Sequence, residues 1–149
     1  MRPLPIFSGE FDHRIDSQGR IAIPARFRAA FAGGVVLARG YDPCIVAHTP
    51  EEWERFAADI ASLPATQASS RRLARLTFSG AYPAKPDRQG RVVIPAPLRE
   101  YAGIGDEAVV VGAGSSVEIW AVDRWRVERM ELDEQAAQIA ESATGGGFP

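Results

Sequence analysis

Polar and apolar residues follow one order twice along this chain. In the first passage, residues 10–15 and 20–23 alternate around a polar turn, Asp16-Ser17-Gln18-Gly19, whose glycine suits the positive φ of a tight connection; this predicts a strand pair. Pro24 then occupies a helix-starting position, and Ala25–Phe31 reads as a short helical run. Apolar segments at 34–39 and 44–48 predict two further strands. Thr49-Pro50-Glu51-Glu52 is a capping box. Trp53, Phe56, Ala57, Ile60 and Ala61 follow at helical spacing on one apolar face, and Pro64 stops the helix. The second passage repeats the plan: the turn Asp87-Arg88-Gln89-Gly90, then Pro95, a helical run at 96–101, and strands at 108–112 and 117–122. After Asp123 one last helix is predicted through Trp125, Leu132 and Ile139 to about residue 142. A segment at 65–77 joins the passages and is predicted helical, with Arg71, Arg72 and Arg75 along it.

The repetition is literal. FSGEFDHRIDSQGRIAIPARFR at 7–28 aligns without a gap with FSGAYPAKPDRQGRVVIPAPLR at 78–99, at an offset of 71 residues and with 11 of 22 positions identical. Such a long period in two copies describes duplication of a small domain rather than a solenoid. The expected organisation is one β-β-α-β-β-α module at 7–64, a basic connecting helix at 65–77, a second module with its terminal helix at 78–142, and a flexible tail at 143–149.

Composition narrows the function. At 46% hydrophobic and 24% charged over 149 residues, the chain can bury a core and is ordinary for a globular protein. It has no run of about 18 apolar residues, and MRPLPIF lacks the build of a secretory signal, so a cytoplasmic protein with no membrane partner is expected. One cysteine, Cys44, and two histidines, His13 and His48, are too few for a cysteine-based zinc site, and neither metal nor other cofactor is expected. Nor is an enzyme with a small-molecule substrate: His13 is matched by Ala84, His48 adjoins a helix cap, and Cys44 lies in an apolar strand. A net charge of −2 and a pI near 5.7 argue against nucleic acid unless the charge is unevenly placed. It is: Arg14, Arg20, Arg26 and Arg28 outnumber Glu10, Asp12 and Asp16 in the first repeat, and Lys85, Arg88, Arg91 and Arg99 meet Asp87 alone in the second. A basic face on an acidic body is predicted, extended by the arginines of the connector.

The repeated turn points to the partner. Asp16 and Asp87 can cap it and Gly19 and Gly90 supply its conformation, but a turn has no need of the same glutamine, Gln18 and Gln89, or the same arginine, Arg20 and Arg91. Arginine is the side chain best suited to forked contacts with guanine or phosphate, and two at matching positions project from one face if the modules pair about a pseudo-two-fold axis. Arg14 and Lys85, aligned at the end of each module's first strand, and Arg88 beside the second turn are further candidates for DNA contact. Arg28 and Arg99 align on the short helix, where a salt bridge to the body explains them as well as DNA does. Trp53 and Trp125, on apolar helix faces, are read as core or subunit-interface residues.

These motifs, FSGEF, DSQGRIAIPARFR, the Trp53 helix, RRLAR at 71–75, DRQGRVVIPAPLREYAGI and VEIWAVDRW, resemble the MraZ family of bacterial transcriptional regulators, built from two tandem SpoVT-AbrB modules of the swapped-hairpin class. The resemblance runs from Phe7 to about Glu131. It implies an α+β, β-rich fold of the double-split β-barrel type and a ring-shaped homo-oligomer associated with the nucleoid. It further implies binding to short repeated G-rich elements in double-stranded promoter DNA ahead of the division and cell-wall gene cluster, repressing that cluster and the regulator's own gene. DNA contact through the Asp-x-x-Gly-Arg loops is implied for Arg20 and Arg91. The family's first loop often carries lysine where Gln18 stands, which implies weaker phosphate contact by the first module here. The rival expectation is an antitoxin-like protein-interaction module, for which one DNA module and a disordered tail would be usual. The acidic Glu128, Glu131, Asp133 and Glu134 of the last helix are what such a protein partner would meet.

Overall fold

The strands expected from each repeat form, but every one of them pairs with a strand of the other repeat, and the expected pairing of 10–15 with 20–23 is replaced by such exchanges. In the computed structural model, which describes residues 5–145, the first half supplies β1 (Glu10–Arg14), β2 (Arg20–Ala22), β3 (Val35–Arg39) and β4 (Ile45–His48). The second supplies β5 (Ala81–Ala84), β6 (Arg91–Val93), β7 (Glu107–Gly112) and β8 (Val117–Ala121). Six strands make one antiparallel sheet in the order β1-β7-β8-β4-β3-β5, and β2 and β6 form a separate antiparallel ribbon. The architecture is α+β with an open sheet, and no barrel closes among the described residues.

Exchanging the halves leaves this order unchanged: β1 on β7 answers β5 on β3, while β4·β8 and β2·β6 straddle a pseudo-two-fold axis. In the ribbon, Arg20↔Val93 exchanges with Ala22↔Arg91, and Ile21 faces Val92 across the axis. In the sheet Val46↔Glu118 takes that central place, so His48 corresponds to Trp120 and Trp53 to Trp125. The pairing Glu10↔Val111 answers Ala81↔Ala38, an offset of 73 between β3 and β7 against 71 at the turns. The second copy therefore has two more residues between its short helix and the strand position that answers Val35, one in the loop that holds Gly103, Ile104 and Gly105 and one, Glu107, at the start of β7.

Strand alternation turns the sheet into a wall between two cores. Val35, Leu37, Ile45, Ala47, Val110, Val117 and Ile119 pack with Ile21 and Val92 of the ribbon and with Phe27, Phe31 and Leu98 of the short helices. The opposite face carries Val109 and Trp120, with Val46 and Val111 beside them. Because both faces are covered, the central strands read as nearly continuous apolar runs. Five α-helices complete the fold: α1 (Pro50–Ala61), α2 (Ala68–Ser79), α3 (Ala96–Ala102), α4 (Val122–Glu134) and α5 (Ala136–Thr144). α1 lays Trp53 and Phe56 over His48, with ring centroids 5.2 and 5.3 Å away, and α4 lays Trp125 over Trp120 at 5.5 Å. α2 leans on α1, where Phe78 meets Trp53 edge-on. The ribbon and short helices thus lie on one side of the sheet and the long helices on the other.

Several elements differ from expectation. The short run Ala25–Phe31 is a 3₁₀ segment without a side-chain cap, held by Phe27 and Phe31 against Phe7. At α1, Thr49 Oγ1 accepts the Glu52 amide at 3.1 Å, but the Glu52 carboxylate pairs with Arg55, so only half of the capping box is built. The connector helix continues past residue 77 to Ser79. The single last helix is two, broken at Gln135 (φ −111°, ψ 13°), with neither proline nor glycine to announce the break. α5 takes in Ala143 and Thr144 of the expected tail, whose residues 146–149 lie outside the described residues.

Candidate nucleic-acid interface

Each repeated turn is organised by one carboxylate. Asp16 Oδ1 accepts the backbone amides of Gln18 and Arg20, both at 2.9 Å, and Oδ2 accepts Arg20 Nε at 2.7 Å. Asp87 repeats this with Gln89 and Arg91, all three distances being 2.9 Å. The donors stabilise the ionised form and hold both carboxyls below the ordinary aspartate range, the backbone amides of Arg20 and Arg91 foremost. Gly19 (φ +76°) and Gly90 (φ +75°) occupy the left-handed region that closes each turn. The arginine is therefore part of the turn: its amide and its Nε are both consumed by the aspartate, a use the sequence did not disclose.

The ribbon then brings the two turns together. Ile94 donates its amide to Gly19 O at 2.9 Å and Ile23 donates to Gly90 O at 2.8 Å, so each turn is stitched to the strand of the other half. Ile21 and Val92 point into the core, which leaves Arg20, Ala22, Arg91 and the exposed Val93 on the outer face. Arg20 Nη1 lies 3.9 Å from Asp87 Oδ2 across the axis. With Nε engaged, each guanidinium is held beside its aspartate with 25% of the Arg20 side chain and 31% of the Arg91 side chain exposed, and the remaining fork is of the kind suited to phosphate or a base edge.

The other candidates are distributed around this centre. Gln18, Arg88 and Gln89 are exposed on the turns and Lys85 is exposed just after β5. Arg14 is also exposed, but it stands 3.9 Å from Glu107. Arg71, Arg72 and Arg75 belong to α2 in the helix layer, with Arg71 donating to Ala65 O at 2.9 Å; the expectation that they extend the basic face of the turns is corrected by the packing of α2 on α1.

Arg28 and Arg99, given little weight from the sequence, each reach the turn of the opposite half. Neither makes a salt bridge among the described residues: Arg28 Nε donates to Ile23 O at 3.0 Å, and Arg99 donates to Ile104 O and Gly105 O at 3.1 and 2.8 Å. Their identity in both repeats was the available signal. Cys44 is buried and burial pushes its thiol far up, which leaves it unreactive.

Two comparisons bear on this geometry. The family model described as "MraZ protein, putative antitoxin-like" matches residues 6–76 and again 77–145, which together cover nearly all of the chain. The chain belongs to the MraZ family. It is 44% identical over 143 residues to the "Transcriptional regulator MraZ" of Herpetosiphon aurantiacus, covering 96% of this chain and all of the relative. The like-named protein of Roseiflexus sp. is 44% identical over 136 residues, 91% of this chain and 95% of its own length, and that of Lactobacillus johnsonii is 40% identical over the same span. The family is one of transcriptional regulators, which is not an enzyme class. Among the described residues no helix is long and apolar enough to cross a membrane.

Proposed function

We propose that the outer face of the β2·β6 ribbon binds double-stranded promoter DNA, with Arg20 and Arg91 as its central contacts and Arg14, Lys85, Arg88, Gln18 and Gln89 around them. The single observation that carries this reading is the pair of turns, alike in every hydrogen bond, that hold two preoriented arginines on one face about a pseudo-two-fold axis. A two-stranded ribbon is an established shape for groove insertion. The hairpins that cross between halves support a swapped-hairpin, double-split barrel description of two SpoVT-AbrB modules. The regulator acts in the cytoplasm at the nucleoid, repressing the division and cell-wall cluster and its own gene from repeated promoter elements.

Ring assembly is part of the proposal, because one ribbon offers few phosphate contacts. The two edge strands suit it poorly, since β5 carries Pro83, which has no amide to pair, and β1 exposes the charged Glu10, Asp12 and Arg14. The helix layer suits it better: α1 and α5 bury no residue in the monomer, and Val127 and Met130 of α4 are 60% and 63% exposed.

Arg20→Ala and Arg91→Ala test the reading. Each is expected to cost about 1 to 3 kcal/mol of operator binding per contact with the oligomer intact. A folded double variant of parental mass that binds its own upstream DNA at full strength overturns it. The exposed apolar residues of α4 among acidic neighbours favour a second reading, an antitoxin-like interaction module, which co-purification of a stoichiometric second protein would support.

A further inference from the structure

The two halves present their short-helix arginines differently, and the difference has a structural origin. Arg99 is held by the two carbonyls of Ile104 and Gly105, which belong to the loop that is longer in the second copy. Arg28 has no such loop beside it. Only its Nε is engaged, with Ile23 O at 3.0 Å, and its Nη atoms have no hydrogen-bond partner among the described residues. The freed guanidinium lies against the opposite turn: a Cβ added to Gly90 would stand 2.5 Å from Arg28 Nε, whereas one added to Gly19 would stand 3.7 Å from Arg99 Nη1. Arg28 shares an open hollow with Pro86, Asp87, Arg88 and Gly90. The Asp87 carboxylate in that hollow is already taken up by Arg91 and two backbone amides, so the outward charge is that of two arginines. At the first turn Ser17 stands in the place of Arg88.

We infer that Arg28 completes the second turn as a phosphate-binding residue supplied across the pseudo-two-fold axis, and that Arg99 is a strut of its own loop with no part in binding. This rests on the DNA-binding reading above. The ligand is a backbone phosphate of the duplex, gripped by Arg28 and Arg88 in the hollow beside Gly90, while Arg91 addresses the groove. The second turn is then the stronger half of the interface, and it draws on residues from both repeats.

The test is binding of the full chain to a duplex of its own upstream DNA across a series of salt concentrations, with melting and oligomer mass measured on the same samples. Arg28→Ala should weaken binding about tenfold at moderate salt and reduce the slope of log affinity against log salt by about one, the loss of one phosphate contact. Arg28→Lys should restore the slope. Arg99→Ala should lower the melting temperature and leave the slope unchanged; if it does not fold, Arg99→Lys serves for the same comparison. A folded Arg28→Ala chain with the parental slope, or an Arg99 variant that loses as much slope as Arg28→Ala, overturns the inference. A parent chain that binds no duplex overturns the DNA-binding reading instead, and loss on Arg91→Ala with Arg28→Ala unaffected leaves that reading standing while removing this one.

Discussion

The helix layers of the two halves are built on the same positions and filled differently. In the second half Trp120 and Trp125 are both buried, and Trp125 Nε1 donates to Glu10 of the first half at 2.7 Å. In the first half the corresponding pair is His48 and Trp53, with Trp53 only half-buried and His48 Nδ1 buried without a partner among the described residues. Duplication thus preserved the backbone plan while the second copy buries a tryptophan pair and the first spreads its contact over the rings of Tyr41, His48, Trp53, Phe56 and Phe78, all but His48 more exposed. Only the second half's pair is hydrogen-bonded to the other half among the described residues.

That contrast can be broken by direct truncation. Trp125→Ala should cost about 3 to 5 kcal/mol in chemical denaturation, since it removes a buried aromatic together with its hydrogen bond to Glu10. Trp53→Ala should cost about half as much, because its ring already meets solvent. Equal losses would mean that the difference in exposure between Trp53 and Trp125 has no energetic weight.

The turns offer a second comparison of smaller size. Gly19→Ala and Gly90→Ala each force a side chain into the left-handed region, at about 1 to 2 kcal/mol. Only at Gly90 does the new methyl also collide with Arg28. Similar melting shifts are therefore expected from the two variants, with a fall in the salt dependence of DNA binding for Gly90→Ala alone.

The smallest effect expected is that of pH. Burial holds His48 below the ordinary imidazole value, with the Glu52 carboxylate pulling the other way, and burial followed by the Arg28 charge does the same at His13. The unfolded chain takes up these protons below about pH 6.5 while the folded chain resists, so stability is lost as pH falls from there toward the folded values. His48→Phe should flatten the melting curve against pH between 7 and 5, leaving the share due to His13. Asp16 and Asp87 act in a lower window: their folded values are depressed, so their contribution holds above about pH 4 and disappears as pH falls through the folded values.

What could be read from the sequence was what is local. The 71-residue repeat needed only the chain compared with itself, and the Asp-x-Gln-Gly-Arg turns, the strand segments and the Thr49 cap all depend on neighbours within a few positions. Pairing between halves does not: nothing in the alternation of Glu10–Arg14 says that it lies against Glu107–Gly112 rather than its own hairpin. The repeat marks Arg20 and Arg91 as matching positions, but the ribbon that brings them onto one face and their bond to the aspartate both needed three-dimensional closure. The same holds for Arg28, whose target Gly90 belongs to the other repeat. The break at Gln135 left no mark because apolar spacing continues through it to Ile139.

Strand exchange between the halves also dictates an order of events at the ribosome. β1 emerges early yet cannot be paired until β7 has been made, and β2 must wait for β6. Until then the first repeat has only the β3–β4 hairpin and its helix to protect Phe7, Phe11 and Ile21 from the surrounding solution. Folding that depends on such distant partners is slow compared with helix formation. A ribosome that stalls between Thr77 and Glu107 leaves a nascent chain with unpaired strands and an open apolar face, a natural target for chaperones and for premature association with a neighbouring nascent chain.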